Sequence, residues 1–366
     1  MPSRRYYIDR SLIPSRTDYD AMTTRSRSRT AGKTINLALQ GGGSHGAFAW
    51  GVVDRLLEDG RLAIEGIVGT SAGAVNAAVL AYGLTVGGRQ GARAKLAEFW
   101  KALSKAACFL PQPPSGFDAR SVFGGIGLLP GYWLMDTLLR FFSPYELNPL
   151  NFNPMRDVLS RTVDFPALRN GRRVKLFTCA SNVLTGRIRV FAGREATVDT
   201  VLASACLPLY FQAVEIEGEH YWDGGYMGNP PVFPLIYNCR SPDVVLVLIN
   251  PVVIEEVPRE ARAIADRINT LSFNSSLMRE MRAIHFVTKL VEHGFDDDGR
   301  LKRMHIHCVD AEDKMRALGA SSKTNLGWDF LMHLYELGRE RGEAFLDTHY
   351  DKIGRESSAP IAERFL

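Results

Sequence analysis

Two glycine-rich turns, about 25 residues apart, constrain this chain more than anything else in it. Each follows a short β-prone run and precedes a helix. Thr34–Gln40 (TINLALQ) runs into Gly41-Gly42-Gly43-Ser44-His45-Gly46. From Gly46 the period changes: Val52, Val53, Leu56 and Leu57 fall on one helical face, Asp54, Arg55, Glu58 and Asp59 lie opposite, and Gly60 stops the helix. A second run, Ile64–Val68, meets Gly69-Thr70-Ser71-Ala72-Gly73, followed by an Ala/Val-rich helix to about Tyr82. Strand, helix, strand, helix within about 50 residues requires parallel neighbouring strands, so the chain is an α/β protein.

Further along, Val174–Ala180 and Arg187–Phe191 flank a Leu-Thr-Gly turn and predict a hairpin. Ala213–Glu217 and His220–Trp222 predict another, turning at Gly218. Asp243–Asn250 (DVVLVLIN) is apolar enough for a strand buried on both faces. From Arg259 helical patterning dominates, interrupted by an acidic turn at Asp296–Gly299. Ile264, Ile268, Leu271 and Ile284 predict packing against the sheet or a subunit interface. The expected organisation is a disordered basic tail over 1–34, a catalytic domain over 35–250 and a helical extension over 251–366 packed on the same domain. The tail holds eight Lys/Arg and three Asp without the apolar stretch of a secretory signal. An aromatic-rich insert spans 106–154: Phe109–Phe152 carries nine aromatics in 44 residues, with one helix expected near Tyr132–Phe142. It reads as a packed cap, a lid or a lipid-facing surface.

Bulk composition narrows the function classes. A net charge of +4 over 366 residues gives no reason to expect a nucleic-acid partner. Five cysteines (108, 179, 206, 239, 308) lie far apart, with no Cys/His cluster at metal spacing, so no metal or cofactor is expected and the thiols read as buried apolar groups. No uncharged apolar run reaches 18 residues, so no membrane span is expected. The predicted location is the cytoplasm, with peripheral contact at a membrane.

Three motifs can carry chemistry. Gly69-Thr70-Ser71-Ala72-Gly73 is a G-x-S-x-G between strand and helix, where a nucleophilic serine projects from a sharp turn that tolerates only small neighbours. The glycine run 41–46 can turn backbone N–H groups toward an anion. It also fits G-x-G-x-x-G, but a dinucleotide site needs an acid at the end of the second strand, and Glu65 lies near that strand's start. An oxyanion hole suits the loop better. Gly42-Gly43-Ser44-His45-Gly46 is itself a G-x-S-x-G, which makes Ser44 a rival nucleophile. The third motif is Asp223-Gly224-Gly225, after a hairpin strand.

In order and spacing, GGGxxG, then GTSAG, then DGG resembles the patatin-like phospholipase family over roughly residues 35–250. Ala203-Ser204 followed by Pro208, and Leu184-Thr185-Gly186, look like further family features. The resemblance implies a three-layer α/β/α fold with a mostly parallel sheet, a Ser–Asp dyad of Ser71 (nucleophile) and Asp223 (base), and an oxyanion hole from Gly42 and Gly43. It implies lipid acyl-ester hydrolysis and no metal. The family usually has Arg or Lys where this chain has His45, which leaves simpler lipid esters or other acyl chains more open as substrates than phosphate-bearing head groups. His45 and His220 are the alternative bases; the other six histidines lie at or beyond His285 in stretches read as mostly helical. Hydrolysis of another acyl polymer or thioester, such as a storage polyester, and lipid binding without turnover are the competing functions.

Overall fold

The computed structural model describes residues 32–107, 141–295, 301–318 and 320–366. Residues 1–31 of the expected tail, 132–140 of the expected helix, most of the aromatic insert, Cys108 and the acidic turn lie outside the described residues; Lys33 and Thr34, counted with the tail, already belong to the first strand.

The predicted strand–helix pairs form. Lys33–Leu39 (β1) leads through the glycine turn into a Gly46–Asp59 helix, which Gly60 ends in the left-handed conformation with φ 78°. Leu62–Gly69 (β2) leads into an Ala72–Ala107 helix, longer than the sequence suggested and broken at Gly88. The predicted hairpins are Lys175–Asn182 (β3) with Ile188–Ala192 (β4), and Val214–Ile216 (β5) with Glu219–Asp223 (β6). Asp243–Val247 (β7) is buried throughout, as its apolar run demands.

One departure from the helical expectation is His305–Val309 (β8), inside the stretch read as helical. The pattern HIHCV offers too short an alternation to announce a strand, and its two histidines mask the apolar positions. β8 pairs in parallel with β7, so the C-terminal part completes the sheet as well as covering it.

The sheet order is β5-β6-β3-β2-β1-β7-β8, with β4 also on β3. Five neighbouring strands, β3-β2-β1-β7-β8, are parallel, and the antiparallel hairpins lie at one edge. Helices cover both faces in an α/β/α arrangement. One face buries the Gly46–Asp59 and Ala72–Ala107 helices against β1, β2 and β7; Leu331, Leu334 and Phe345 of the Trp328–His349 helix join that core. The other buries Leu277, Met281 and Ile284 of the Ala261–Glu292 helix against β7 and β8. Of the four positions singled out on this helix, Ile284 packs against the sheet, whereas Ile264, Ile268 and Leu271 are exposed on the first half, where Asp266, Arg267 and Thr270 border a cavity.

Cys179, Cys206 and Cys239 are buried and Cys308 partly so, all as free thiols that burial pushes up to about 12. No helix among the described residues is long and apolar enough to cross a membrane.

Candidate active site

In a parallel sheet the loops after the strands gather at one end, and the three motifs meet there. Leu39 pairs with Gly69, so the turns after β1 and β2 are adjacent. Gly69 pairs with Thr178 on β3, and Ala180, two residues further on, pairs with Asp223 on β6. Topology alone therefore brings residue 223 beside residue 71.

The turn after β2 is as tight as a serine elbow requires. Ser71 has φ 54°, a left-handed conformation that costs a non-glycine residue about 1–2 kcal/mol. A Cβ on Gly69 would sit 2.2 Å from the Gly73 carbonyl oxygen, and one on Gly73 would sit 2.1 Å from that of Leu39. Both flanking glycines are therefore dictated by backbone approach. The strain is held from outside: Thr70 Oγ1 donates to Gly228 O at 2.7 Å, and the Ser71 N–H donates to Ser204 Oγ at 3.0 Å. Ser71 itself is 6% exposed.

The glycine loop lies directly beside Ser71. A Cβ on Gly41 would come within 2.6 Å of Ser71 Cβ. The Gly41 N–H is consumed by Asn229 Oδ1 at 2.6 Å, and its carbonyl accepts from Asn250 Nδ2 at 2.7 Å. The N–H groups of Gly42 and Gly43 donate to no described residue, nor does that of Ala72 at the start of the long helix. Unclaimed N–H groups in so buried a place await an acceptor.

Asp223 is fully buried. Its Oδ1 accepts the Gly225 N–H at 2.7 Å, whereas Oδ2 is buried without a hydrogen-bond partner among the described residues. Burial pushes the carboxyl up to about 7, against the opposing pull of the Gly225 N–H, the Ser71 hydroxyl and the charge of Lys323. Ser71 is thus close enough to act on Asp223, yet its hydroxyl falls short of a fully formed hydrogen bond to it. Apo catalytic contacts commonly tighten only when substrate binds.

The rival residues are occupied elsewhere. Ser44 Oγ donates to the Ser322 carbonyl at 2.8 Å. His45 Nε2 is 2.7 Å from Ser322 Oγ, and burial, helped by Lys323, drives the ring down to about 3, so it stays neutral. His220 is three residues from Asp223 on β6, which points it to the opposite face of the sheet. His305 and His307 lie on β8, whose pairing with β7 sets them toward the other end of the sheet.

Several site residues escaped the sequence reading: Ala72, Asn229, Asn250 and Lys323. The residue after an elbow serine is a findable donor. The two asparagines and the lysine belong to no motif, and only tertiary structure reveals them. The Ala203-Ser204…Pro208 stretch does hold the site: Ser204 takes the Ser71 N–H, and the Cys206 carbonyl takes the Asp223 N–H at 2.7 Å. Among the described residues no three His, Cys, Asp or Glu side chains form a group that could hold a metal ion.

Residues 37–236 match the sequence profile of the family described as patatin-like phospholipase. Among solved structures the chain is similar to VipD from Legionella pneumophila, at 15% identity and TM-score 0.43, covering 91% of this chain and 73% of that one. It is also similar to the ExoU–SpcU complex from the type III secretion system of Pseudomonas aeruginosa, at 15% identity and TM-score 0.33. That match covers 88% of this chain and 53% of the other, so this chain spans about half of that length. No curated protein matches the chain in sequence.

Proposed function

This chain belongs to the patatin-like phospholipase family, and from that membership we propose a serine acyl-hydrolase of lipid esters that works through Ser71 and Asp223 alone. One observation carries the reading. A strained serine, a buried carboxylate with a free oxygen, and unclaimed N–H groups at Gly42 and Gly43 meet at the end of the sheet where α/β proteins bind ligands.

The chemistry follows from the geometry. Asp223 Oδ2 takes the proton from Ser71 Oγ as that oxygen attacks the ester carbonyl. The negative charge that develops on the carbonyl oxygen is received by the Gly42 and Gly43 N–H groups, with Ala72 at a helix N-terminus as a third donor. Asp223 returns its proton to the departing alcohol, which leaves an acyl group on Ser71. A water then gives its proton to Asp223 and attacks the acyl carbon; as the acyl–Oγ bond breaks, Asp223 passes that proton to Ser71 Oγ, which releases the fatty acid and restores both groups. A carboxylate is ordinarily too weak a base for this step. Burial that lifts it to about 7 matches it to neutral pH, at the cost of holding a poorly solvated charge.

Lipid substrates sit in an interface, and the described part of the insert suits one. Phe141, Tyr145, Leu150 and Phe152 are exposed, Leu150 at 90%. Their segment is pinned to the loop that follows Cys206: Gln212 Nε2 donates to Asn148 O at 2.9 Å, and the Ala213 N–H to Tyr145 Oη at 3.3 Å. Leu209 and Tyr210 of that loop are exposed too. We place peripheral membrane contact on this face; failure to sediment with phospholipid vesicles would remove it without touching hydrolysis.

The decisive test is labelling with a fluorophosphonate probe, paired with turnover on phospholipids, lysophospholipids, neutral esters and thioesters. Ser71→Ala should abolish both labelling and turnover, and Ser44→Ala should preserve them. Labelling that survives in Ser71→Ala refutes the assignment.

A further inference from the structure

Among the described residues, Lys323 is the cation whose field reaches both Asp223 and the glycine loop, and it comes from the far C-terminal part, outside the family match. It lies on a short 3-10 turn, Ala320–Thr324, pressed against the loop: a Cβ on Gly43 would sit 2.2 Å from the Lys323 carbonyl oxygen. Its Nζ donates to Asn250 Oδ1 at 2.7 Å, and Asn250 Nδ2 in turn donates to the Gly41 carbonyl at 2.7 Å. The other side of Asn250 is fixed as well, because its backbone N–H donates to Gln40 Oε1 at 2.9 Å. An ammonium, an amide and the first glycine of the loop thus form one relay.

We propose that Lys323 is a positioning residue of the acyl-transfer site, fixing the Gly41–Gly43 loop through Asn250 and lending the loop a nearby positive charge. The proposal rests on the Ser71–Asp223 reading. His45, inside the loop, cannot supply that charge, since its ring is buried against Ser322 and neutral. Protonated Lys323 orients the Asn250 amide: an ammonium can only donate, so Oδ1 must face it, which leaves Nδ2 for Gly41. Loss of the proton leaves a neutral amine, whose hydrogen bond to Oδ1 is weaker without the charge, and loosens the relay that the Gly41 carbonyl then holds alone. The glycine N–H groups then lose their aim, and developing negative charge loses its counter-field.

The charged and titratable groups facing Lys323 are Asp266 on the Ala261–Glu292 helix, Asp223 at the end of β6 and His45 of the loop, with Glu255, Glu256, Arg267, Asp313 and Arg316 lining the same cavity. Burial lowers Lys323 to about 8, and Asp266 and Asp223 oppose that fall. Lys323 also borders a cavity of about 770 Å³ lined by Ile249, Arg267 and Leu318, which gives its proton a route for exchange.

The test compares kcat and KM across pH 5.5–10 for wild type, Lys323→Met and Lys323→Arg, with fluorophosphonate labelling of Ser71 in each. Wild type should show a bell with its alkaline limb near pH 8. Lys323→Met should lower kcat about 10- to 100-fold at unchanged KM. It should also abolish the alkaline limb and move the acid limb upward, because Asp223 loses an attracting charge. Lys323→Arg should keep kcat within about threefold and push the alkaline limb beyond pH 9, since a guanidinium does not deprotonate there. An alkaline limb that stays near pH 8 in Lys323→Arg overturns the proposal even if Lys323→Met fails to fold, as does a Lys323→Met profile that superimposes on wild type. Fluorophosphonate labelling that persists in Ser71→Ala, run alongside, would instead sink the underlying reading.

Discussion

The two ends of the central sheet each bury an aspartate, and the two are treated in opposite ways. Asp243 opens β7, at the end remote from the glycine turns. Its Oδ1 meets His307 Nε2 at 3.0 Å, His305 Nδ1 at 3.3 Å and the Gly354 N–H at 2.8 Å. Burial alone would raise it, but the His307 hydrogen bond, the Gly354 N–H and the two histidine charges bring it below the ordinary carboxylate range. Asp223 has one N–H donor, an unpartnered oxygen and a carboxyl at about 7. The group at residue 243 even includes a hydroxyl, since His307 Nδ1 lies 3.0 Å from Ser358 Oγ. A Ser–His–Asp trio therefore exists here in outline. What it lacks is strain, a starved base and spare N–H donors: the Ser358 N–H is spent on the Ile306 carbonyl. A carboxylate held by several partners ties the chain down, whereas one with a single donor and a buried, unpartnered oxygen can take a proton.

Substitutions at the two aspartates should therefore diverge. The largest effect is on turnover: Asp223→Asn should cost at least about a thousandfold in kcat, as should Ser71→Ala. Asp243→Asn should leave kcat per folded molecule within about threefold. Equal losses at both positions, measured on protein shown to be folded, would erase the distinction.

Stability should move the other way. The folded-state value of Asp223 is raised, so ionising it costs stability progressively as pH rises from about 4 through about 7. Asp223→Asn removes that penalty and should raise Tm by several degrees at pH 8, and by little at pH 5. The value of Asp243 is lowered, so its contribution is present above the unfolded value and is lost only in acid. Asp243→Ala strands two histidine partners and should cost about 3 kcal/mol, read as a fall in denaturant midpoint at neutral pH.

Smaller and sharper is Ser204→Ala. It removes the acceptor of the Ser71 N–H and should loosen the elbow, lowering kcat about three- to tenfold with KM unchanged. A larger effect on stability than on kcat would make Ser204 a packing residue only.

Much of this contrast is legible in the chain's own residue order. The strain at Ser71 is written in composition, because a serine between two glycines after a β-prone run fits little besides a tight elbow. The apolar run of β7 and the Gly60 stop are equally plain. The Asp243 cluster is invisible there, since its members sit on β7, on β8 and in the 354–358 segment, and β8 itself hides behind its histidines. Lys323 and Asn250 are hidden for the same reason: their meaning is a meeting of segments 73 residues apart. Local periodicity finds elements and turns. Long-range polar contacts leave no period, so they surface only when the chain is folded.

Glu280, which caps the N–H groups of Val232 and Phe233, is also pushed up to about 7, so a pH limb near neutrality does not by itself identify Asp223. The rate of fluorophosphonate labelling at Ser71, followed from pH 5 to 8 in wild type and Asp223→Asn, makes the identification. The wild-type rate should rise through a step near pH 7 before the alkaline limb near pH 8 sets in, and the variant should be at least about a hundredfold slower with no rising step. A variant that still labels quickly, and still rises through pH 7, would show that another group takes the proton from Ser71.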